Sequence, residues 1–126
     1  MKLPASNFQL SNFSINCNGR LVDLNTPKIM GILNLTPDSF SDGGKFNNEK
    51  SALLHAEKLL KDGADFIDIG AQSTRPNAEY LSAEEEIRRI GNVISLIKKE
   101  FPEALISIDT FYADVVKFGY NEGMDV

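Results

Sequence analysis

The chain has 126 residues, 42% of them hydrophobic and 25% charged, a composition typical of one globular domain with a modest core. Its net charge of −5 and its scattered lysines and arginines argue against a surface that binds nucleic acid or an anionic membrane. No apolar run approaches the roughly 20 residues of a membrane span. The single cysteine, Cys17, excludes an internal disulfide, and residues 1–16 lack the apolar stretch of a signal peptide. We therefore expect a protein of the reducing cytoplasm.

The first element predicted along the chain is a β-hairpin. Residues 8–23 contain short alternating apolar patterns on either side of Asn18-Gly19, a dipeptide that favours a two-residue turn. We assign residues 1–27 to this N-terminal hairpin extension and residues 28–126 to the main domain.

Three short apolar runs follow Pro27, at residues 28–34, 66–69 and 105–109. Runs that are apolar on both faces are typical of buried parallel strands. A helix is predicted after the first run, over residues 48–62, ending at Gly63. Another is predicted after the third run, over residues 112–123.

The helix predicted between the second and third runs spans residues 82–101. Ser82 and Glu85 form a capping box at its start, and Pro102 follows its end. Its apolar stripe comprises Ile87, Ile90, Ile94, Ile97 and Phe101. Two i,i+4 ion pairs are expected on its exposed face: Glu84 with Arg88, and Glu85 with Arg89.

A short sequence repeat predicts a further strand after the last helix. Residues 62–66 and 122–126 both read acid, Gly, small or apolar residue, Asp, apolar residue. Val126 is therefore predicted to begin a fourth parallel strand. Three repeats of strand and helix are typical of an α/β protein, either a doubly wound sheet or a (β/α)8 barrel. In both architectures ligands bind at the C-terminal ends of the strands.

The loop after the first predicted strand, residues 34–44, is rich in carboxylates, hydroxyls and glycine. Thr36-Pro37-Asp38 and Asp42-Gly43-Gly44 are also common turn formers, so a plain turn is one interpretation. Phe40 favours a binding loop, because an aromatic residue among turn residues has no obvious core to fill.

The loop after the second strand, residues 70–76, combines hydroxyls and backbone amides with Arg75, which suits an anion such as phosphate or carboxylate. An ordinary surface ion pair is the alternative. Asp68 and Asp109 are predicted at the C-terminal ends of the second and third strands, facing inwards. Asp109 could be only a helix N-cap. A ligand rich in N–H donors is the other partner that such a carboxylate could have.

Three segments resemble, in order, the signatures of the dihydropteroate synthase family. They are residues 29–44 (IMGILNLTPDSFSDGG), residues 68–76 (DIGAQSTRP) and residues 107–110 (SIDT). The resemblance covers residues 28–126, and the hairpin resembles the family's N-terminal extension. Ala71-Gln72 departs from the family's usual Gly and Glu, and we expect this to affect only the packing of the loop.

The resemblance implies an incomplete TIM (β/α)8 barrel: the first three βα units, preceded by the hairpin and truncated at the start of strand four. A closed barrel needs about 250 residues. The implied reaction joins 6-hydroxymethyl-7,8-dihydropterin diphosphate to p-aminobenzoate, giving 7,8-dihydropteroate and diphosphate in folate biosynthesis. Two alternatives remain open: a methyltetrahydrofolate-dependent methyltransferase of the same superfamily, and a structural fragment without catalysis.

The resemblance also assigns roles to individual residues. Asn34 is associated with Mg²⁺, the implied cofactor. Asp42, facing a cationic intermediate, and Arg75 are the implied catalytic residues. The implied substrate-binding residues are Phe40, Asp68, Ser73, Thr74, Pro76 and Asp109. Among these, Thr74 contacts the pterin diphosphate and Asp109 accepts hydrogen bonds from the pterin ring. Phe40, Arg75 and Pro76 border p-aminobenzoate.

A homodimer is expected for the full-length enzyme. The 126 residues alone are expected to be inactive and to self-associate. The reason is that the edges of an open sheet expose apolar residues, here Ile32, Ile67 and Ile106.

Overall fold

The computed structural model describes residues 13–36, 44–73 and 75–126. Within these residues five strands and four helices follow one another along the chain. The order is β1 (Ser14–Cys17), β2 (Arg20–Asp23), β3 (Met30–Asn34), α1 (Gly44–Lys61), β4 (Phe66–Gly70), α2 (Ala83–Ile90), α3 (Val93–Glu100), β5 (Leu105–Asp109) and α4 (Ala113–Glu122). No helix in these ranges is long and apolar enough to cross a membrane.

Strands β1 and β2 form the predicted antiparallel hairpin, with Cys17 paired to Arg20 next to the turn. Asn18 and Gly19 have φ angles of 51° and 87°, so both turn residues are left-handed, as a type I′ turn requires. The Gly19 N–H donates a 2.7 Å hydrogen bond to Asn16 Oδ1. The prediction from the Asn-Gly dipeptide is confirmed.

Strands β3, β4 and β5 form one parallel sheet in that order. Each strand lies beside the next one along the chain, and each is followed by helix, so the described residues contain three βα units. In a (β/α)8 barrel, too, each strand lies beside the strand that follows it in the sequence. The predicted α/β class and its three βα units are confirmed.

The sheet has a face covered by helices and a face directed towards the inside of a barrel. Ile67 and Ile106 lie on the helix-covered face and are fully buried in the main core. The expectation that both are exposed was wrong, because it took the whole strand edge as open and ignored the pleat. Ile32 lies on the inward face and is 60% exposed, as expected.

The hairpin covers one end of the inward face. Phe66 and Leu105, the first residues of β4 and β5, are buried against Cys17 of the hairpin. Arg20 also donates to the backbone oxygen of Glu103, at 3.0 Å. Because the hairpin closes the N-terminal end of the strands, the open part of the inward face leads to their C-terminal ends.

Helix α1 starts at Gly44, four residues before the predicted residue 48. It buries Ala52 and Ala56 against the sheet. The helix predicted over residues 82–101 is interrupted. Gly91 has φ 48° and ψ −126°, which ends α2, and Asn92 precedes α3. Its apolar stripe survives the break, with Ile90, Ile94 and Ile97 fully buried.

The capping box at the start of α2 is only half formed. Ser82 Oγ accepts a 3.2 Å hydrogen bond from the Glu85 N–H, as predicted. The Glu85 carboxylate turns away from Ser82 and binds both Arg88, at 2.6 Å, and Arg89, at 3.1 Å. Arg88 therefore pairs with Glu85, at i,i+3, where a pair with Glu84 was predicted.

Residues 122–126 repeat the geometry of residues 62–66. Gly63 and Gly123 both have φ 105°. The N–H groups of Asp125 and Val126 donate to Ile106 O at 2.8 and 3.1 Å. The N–H groups of Asp65 and Phe66 donate to Ile29 O in the same way, where β4 begins beside β3. The predicted strand start at Val126 agrees with this pairing.

Candidate functional site

Three residues at the C-terminal ends of the parallel strands form one layer of the site. Asn34, Gly70 and Asp109 are aligned across β3, β4 and β5. Adjacent strands lie about 4.8 Å apart, so the Cα atoms of Asn34 and Asp109 are separated by about 10 Å. Gly70 lies between them without a side chain, and a Cβ there would come 3.8 Å from Asn34 Oδ1. An amide and a carboxylate thus flank an open floor.

Asp68 lies one layer deeper than predicted. It occupies the middle of β4 and is aligned with Ser107, whose Oγ donates a 2.6 Å hydrogen bond to Asp68 Oδ1. The prediction of a strand-end position was wrong because the strand continues through Ile69 to Gly70. The carboxylate is held beneath the layer of Asn34 and Asp109, so its partner in this structure is a side chain of the protein.

The loop after β4 is folded by its own polar groups. Ser73 Oγ accepts a 3.3 Å hydrogen bond from the Arg75 N–H, and Arg75 O accepts from the Ala78 N–H at 3.1 Å. Asn77 has φ 64°, a left-handed conformation that asparagine tolerates. Arg75 and Pro76 are exposed on this turn. The loop therefore presents a hydroxyl and a guanidinium at the same edge as Asp109.

A cleft of about 520 Å³ separates this loop from the loop after β5. Ser73 and Arg75 lie on one side and Asp109 on the other. A second cleft, of about 430 Å³, lies between the same loop and Thr36 and Arg89. Ser73 and Arg75 line both clefts, so the loop after β4 is the wall that they share.

Two aromatic residues that were not predicted from the sequence line the larger cleft. Tyr80 is 80% exposed and Phe111 is 68% exposed. Their rings meet edge to face with centroids 5.7 Å apart. Phe111 lies in the loop after a strand, the position predicted from the sequence for Phe40, and could have been predicted for the same reason. Together they add aromatic surface to the cleft that Arg75 also lines.

Behind the cleft lies a buried carboxylate that was also not predicted. Glu86 is fully buried, and it accepts a 2.5 Å hydrogen bond from Gln72 Nε2 and a 2.7 Å one from Thr110 Oγ1. Glu86 lies four residues before Ile90 and therefore on the buried stripe of the helix. This spacing is the sequence feature from which its burial could have been predicted. Gln72, noted only as a departure, also binds both backbone groups of Leu81, at 3.1 and 3.2 Å.

An ion cluster on α2 supports the base of the loop. Hydrogen bonds from Arg88 and Arg89 lower the pKa of Glu85 to about 2. Arg89 also donates to Ala71 O at 3.2 Å, directly ahead of the loop. The guanidinium of Arg89 is thereby held where it lines the second cleft.

Three predicted site residues, Phe40, Asp42 and Thr74, lie outside the described residues. In the described part of the chain no group of three or more His, Cys, Asp or Glu side chains could hold a metal ion. Asn34 offers one amide oxygen. A hard oxygen ligand of this kind fits an Mg²⁺ ion that keeps most of its coordination for water and phosphate, as Mg²⁺ usually does.

A family model and proteins of known function match most of this chain. Residues 30–126 match the family described as pterin binding enzyme. Dihydropteroate synthase of Haemophilus influenzae is 47% identical over 109 residues, which cover 86% of this chain and 39% of that protein.

Two solved structures are similar in fold. Dihydropteroate synthase of Xanthomonas albilineans, with 4-aminobenzoic acid, has a TM-score of 0.80 and 40% identity, covering 89% of this chain and 41% of that one. The Anaplasma phagocytophilum enzyme, with bound 6-hydroxymethylpterin-monophosphate, has a TM-score of 0.69 and 42% identity, covering 77% and 37%.

The fold and the clefts thus define a protein built from βα units with a candidate ligand site at the carboxyl ends of its parallel strands. The chain belongs to the pterin-binding enzyme family. It spans about 40% of the length of the bacterial dihydropteroate synthases that it matches.

Proposed function

We propose that this chain forms one wall of the active site of a dihydropteroate synthase in folate biosynthesis. The observation that carries the proposal is the alignment of Asn34, Gly70 and Asp109 beside the cleft lined by Ser73 and Arg75. A carboxylate suited to a ring with N–H donors and a cationic loop suited to phosphate or carboxylate share one edge of the sheet. The identities to dihydropteroate synthases support the same assignment.

In the proposed reaction the amine nitrogen of p-aminobenzoate forms a bond to the methylene carbon of the pterin diphosphate. The bond from that carbon to the diphosphate oxygen breaks, diphosphate leaves with the electron pair, and the new C–N nitrogen loses a proton. Asp109 orients the pterin by accepting hydrogen bonds from its N–H groups. Gly70 keeps the space beside Asp109 free, because any side chain there would lie over the floor between Asp109 and Asn34.

The leaving diphosphate needs positive charge and hydrogen-bond donors. We assign Thr74 and Ser73 to contacts with the pterin diphosphate, and Asn34 to Mg²⁺, which when bound supplies charge neutralisation. Asp68, held by Ser107, supports the floor beneath Asn34.

The p-aminobenzoate side of the site is assigned to the two loops. Arg75 and Pro76 are exposed on the loop after β4, where the guanidinium suits the carboxylate of p-aminobenzoate. Phe40 borders the aromatic ring, and Asp42 faces the cation that forms as diphosphate departs. These two roles remain predictions from the sequence.

To test the proposal, barrel strands four to eight of a related enzyme are fused to this chain. We expect a chimera of this chain with the C-terminal part of the Haemophilus influenzae enzyme to form dihydropteroate, and the 126 residues alone to form none. The single chain is expected to self-associate through its exposed inward face, including Met30 and Ile32, and the chimera to be a homodimer, both checked by light scattering. A folded chimera that binds neither substrate would contradict the proposal, as would turnover by a monomer of the chain alone.

A further inference from the structure

Glu86 places a carboxylate in the protein interior, where burial by itself disfavours an acidic side chain. Its exposure is 0%, and burying a carboxylate is costly unless hydrogen bonds satisfy it. Replacing such a group by an apolar side chain often leaves a protein equally stable. The first turn of α2, where Glu86 lies, favours negative charge through the helix dipole, but that turn also contains Glu84 and Glu85. Stability of the helix therefore does not explain a buried acid at residue 86.

The two oxygens of Glu86 join the two loops that border the larger cleft. Oε1 accepts from Gln72, which directly precedes Ser73, and Oε2 accepts from Thr110, which directly follows Asp109. Thr110 Oγ1 in turn accepts a 3.2 Å hydrogen bond from the Tyr112 N–H, at the start of α4. One carboxylate thus connects the loop after β4, the loop after β5 and the start of α4.

Gln72 is suited to this arrangement by its neutral amide. Its NH2 group donates to Glu86 and to Leu81 O, and its oxygen accepts from the Leu81 N–H. A deprotonated carboxylate at residue 72 could make neither donated bond. The side chain of the exposed Asp109 makes no hydrogen bond to any residue that the structure describes, so the position of its carboxylate depends on the backbone, which Thr110 anchors.

We propose that Glu86 is a positioning residue for the ligand site: it fixes the distance between the loop of Ser73 and Arg75 and the carboxylate of Asp109. The proposal rests on the proposed function for the identity of the ligand. The geometric part, that one buried carboxylate holds both loops, stands on the structure alone.

The experiment compares the 126-residue chain with its Glu86→Ala and Glu86→Gln variants, and with Glu84→Gln as a control on the exposed side of the same helix turn. Amide hydrogen exchange is measured along the chain. We expect Glu86→Ala to raise exchange about ten-fold or more at Ser73, Arg75, Phe111 and Tyr112, with little change in β3 and α1. Glu86→Gln should restore most of the protection, since a glutamine can accept from Gln72 and donate to Thr110 Oγ1.

A second measurement titrates the chimera, with and without the same substitutions, with 6-hydroxymethylpterin and follows the fluorescence of the pterin. Binding is expected to weaken about ten-fold in Glu86→Ala and to recover in Glu86→Gln, with Glu84→Gln unchanged. Unchanged exchange in both loops of Glu86→Ala would overturn the proposal. So would a uniform rise that includes β3, which indicates a purely structural role. If the unaltered chimera binds no pterin, the proposed function is in doubt, while the exchange pattern of the 126-residue chain still decides the role of Glu86.

Discussion

Asp65 and Asp125 hold equivalent positions: Asp65 directly precedes β4, and Asp125 directly precedes the strand predicted to start at Val126. Asp65 Oδ2 accepts a 2.8 Å hydrogen bond from the Ile29 N–H, and Asp125 Oδ2 accepts a 2.9 Å one from the Ile106 N–H. Each aspartate thus fixes its segment against the neighbouring strand. The surroundings differ: Asp125 is 8% exposed and bonded to Lys98, at 2.9 Å, whereas Asp65 is 38% exposed and lies 3.9 Å from Lys28.

This difference predicts unequal costs for the same substitution. Asp125→Ala leaves the buried Ile106 N–H without its side-chain acceptor and Lys98 without its carboxylate partner, and we expect a loss of about 2–4 kcal/mol of unfolding free energy. Asp65→Ala affects exposed groups and should cost about 1 kcal/mol. Urea unfolding at equal protein concentration measures both. Equal costs would mean that the Lys98 contact contributes nothing measurable.

Gly119 is predicted to be required for the packing of α4 against β5. A Cβ at this residue would come 2.2 Å from Ile108 Cδ1, so Gly119→Ala forces the isoleucine or the helix to move. We expect a destabilisation of about 1–3 kcal/mol, as for other overpacked cores. Ile108→Val removes the contacting methyl group and should recover part of the loss in the double variant. Strictly additive effects of the two changes in thermal melting would contradict the close contact.

The stability contributed by Glu85 is predicted to depend on pH. Its pKa is lowered to about 2 by hydrogen bonds from Arg88 and Arg89, against about 4.3 for an unperturbed glutamate. Because the folded-state pKa is the lower one, this contribution is fully present above about pH 4.3 and is lost as the pH falls through 2. The melting temperature of the unaltered chain should therefore exceed that of Glu85→Gln at pH 7, and the difference should shrink towards pH 2. The control, Glu84→Gln, should show a much smaller change with pH.

Asp109→Asn is predicted to weaken pterin binding in the chimera. The substitution exchanges one acceptor oxygen for an NH2 group that faces the donors of the pterin, and we expect a loss of about 2–4 kcal/mol in binding free energy. Calorimetric titration measures it, with Asp114→Asn on the exposed start of α4 as the matched control. Unchanged affinity would remove Asp109 from the pterin site.

Phe40→Ala is predicted to separate the two substrates. If Phe40 borders p-aminobenzoate, the KM for p-aminobenzoate rises in the chimera while binary pterin binding stays nearly intact. Steady-state kinetics with each substrate varied tests this, and Phe13→Ala, an exposed phenylalanine of the hairpin segment, is the control. Equal damage to both substrates would indicate instead that the loop acts as a general lid.

The sequence determined those features that depend on neighbouring residues. Asn18-Gly19 specified the hairpin turn, because few other dipeptides accept two positive φ angles. Gly63 and Gly123 specified two helix ends for the same reason. The repeated acid-Gly pattern and the apolar runs indicated the strand positions, since burial on both faces selects apolar side chains along a short segment. The motifs at residues 29–44, 68–76 and 107–110 were sufficient for the family.

Tertiary structure decided the features that depend on residues far apart in the sequence. The register between strands placed Gly70 between Asn34 and Asp109 and moved Asp68 to the layer below, facing Ser107. The chain path brought Gln72 and Thr110 to the two oxygens of Glu86, which in the sequence is one of three consecutive glutamates. A buried acid and an exposed one look alike in a helix pattern, because burial is set by the partner surface and not by the residue itself.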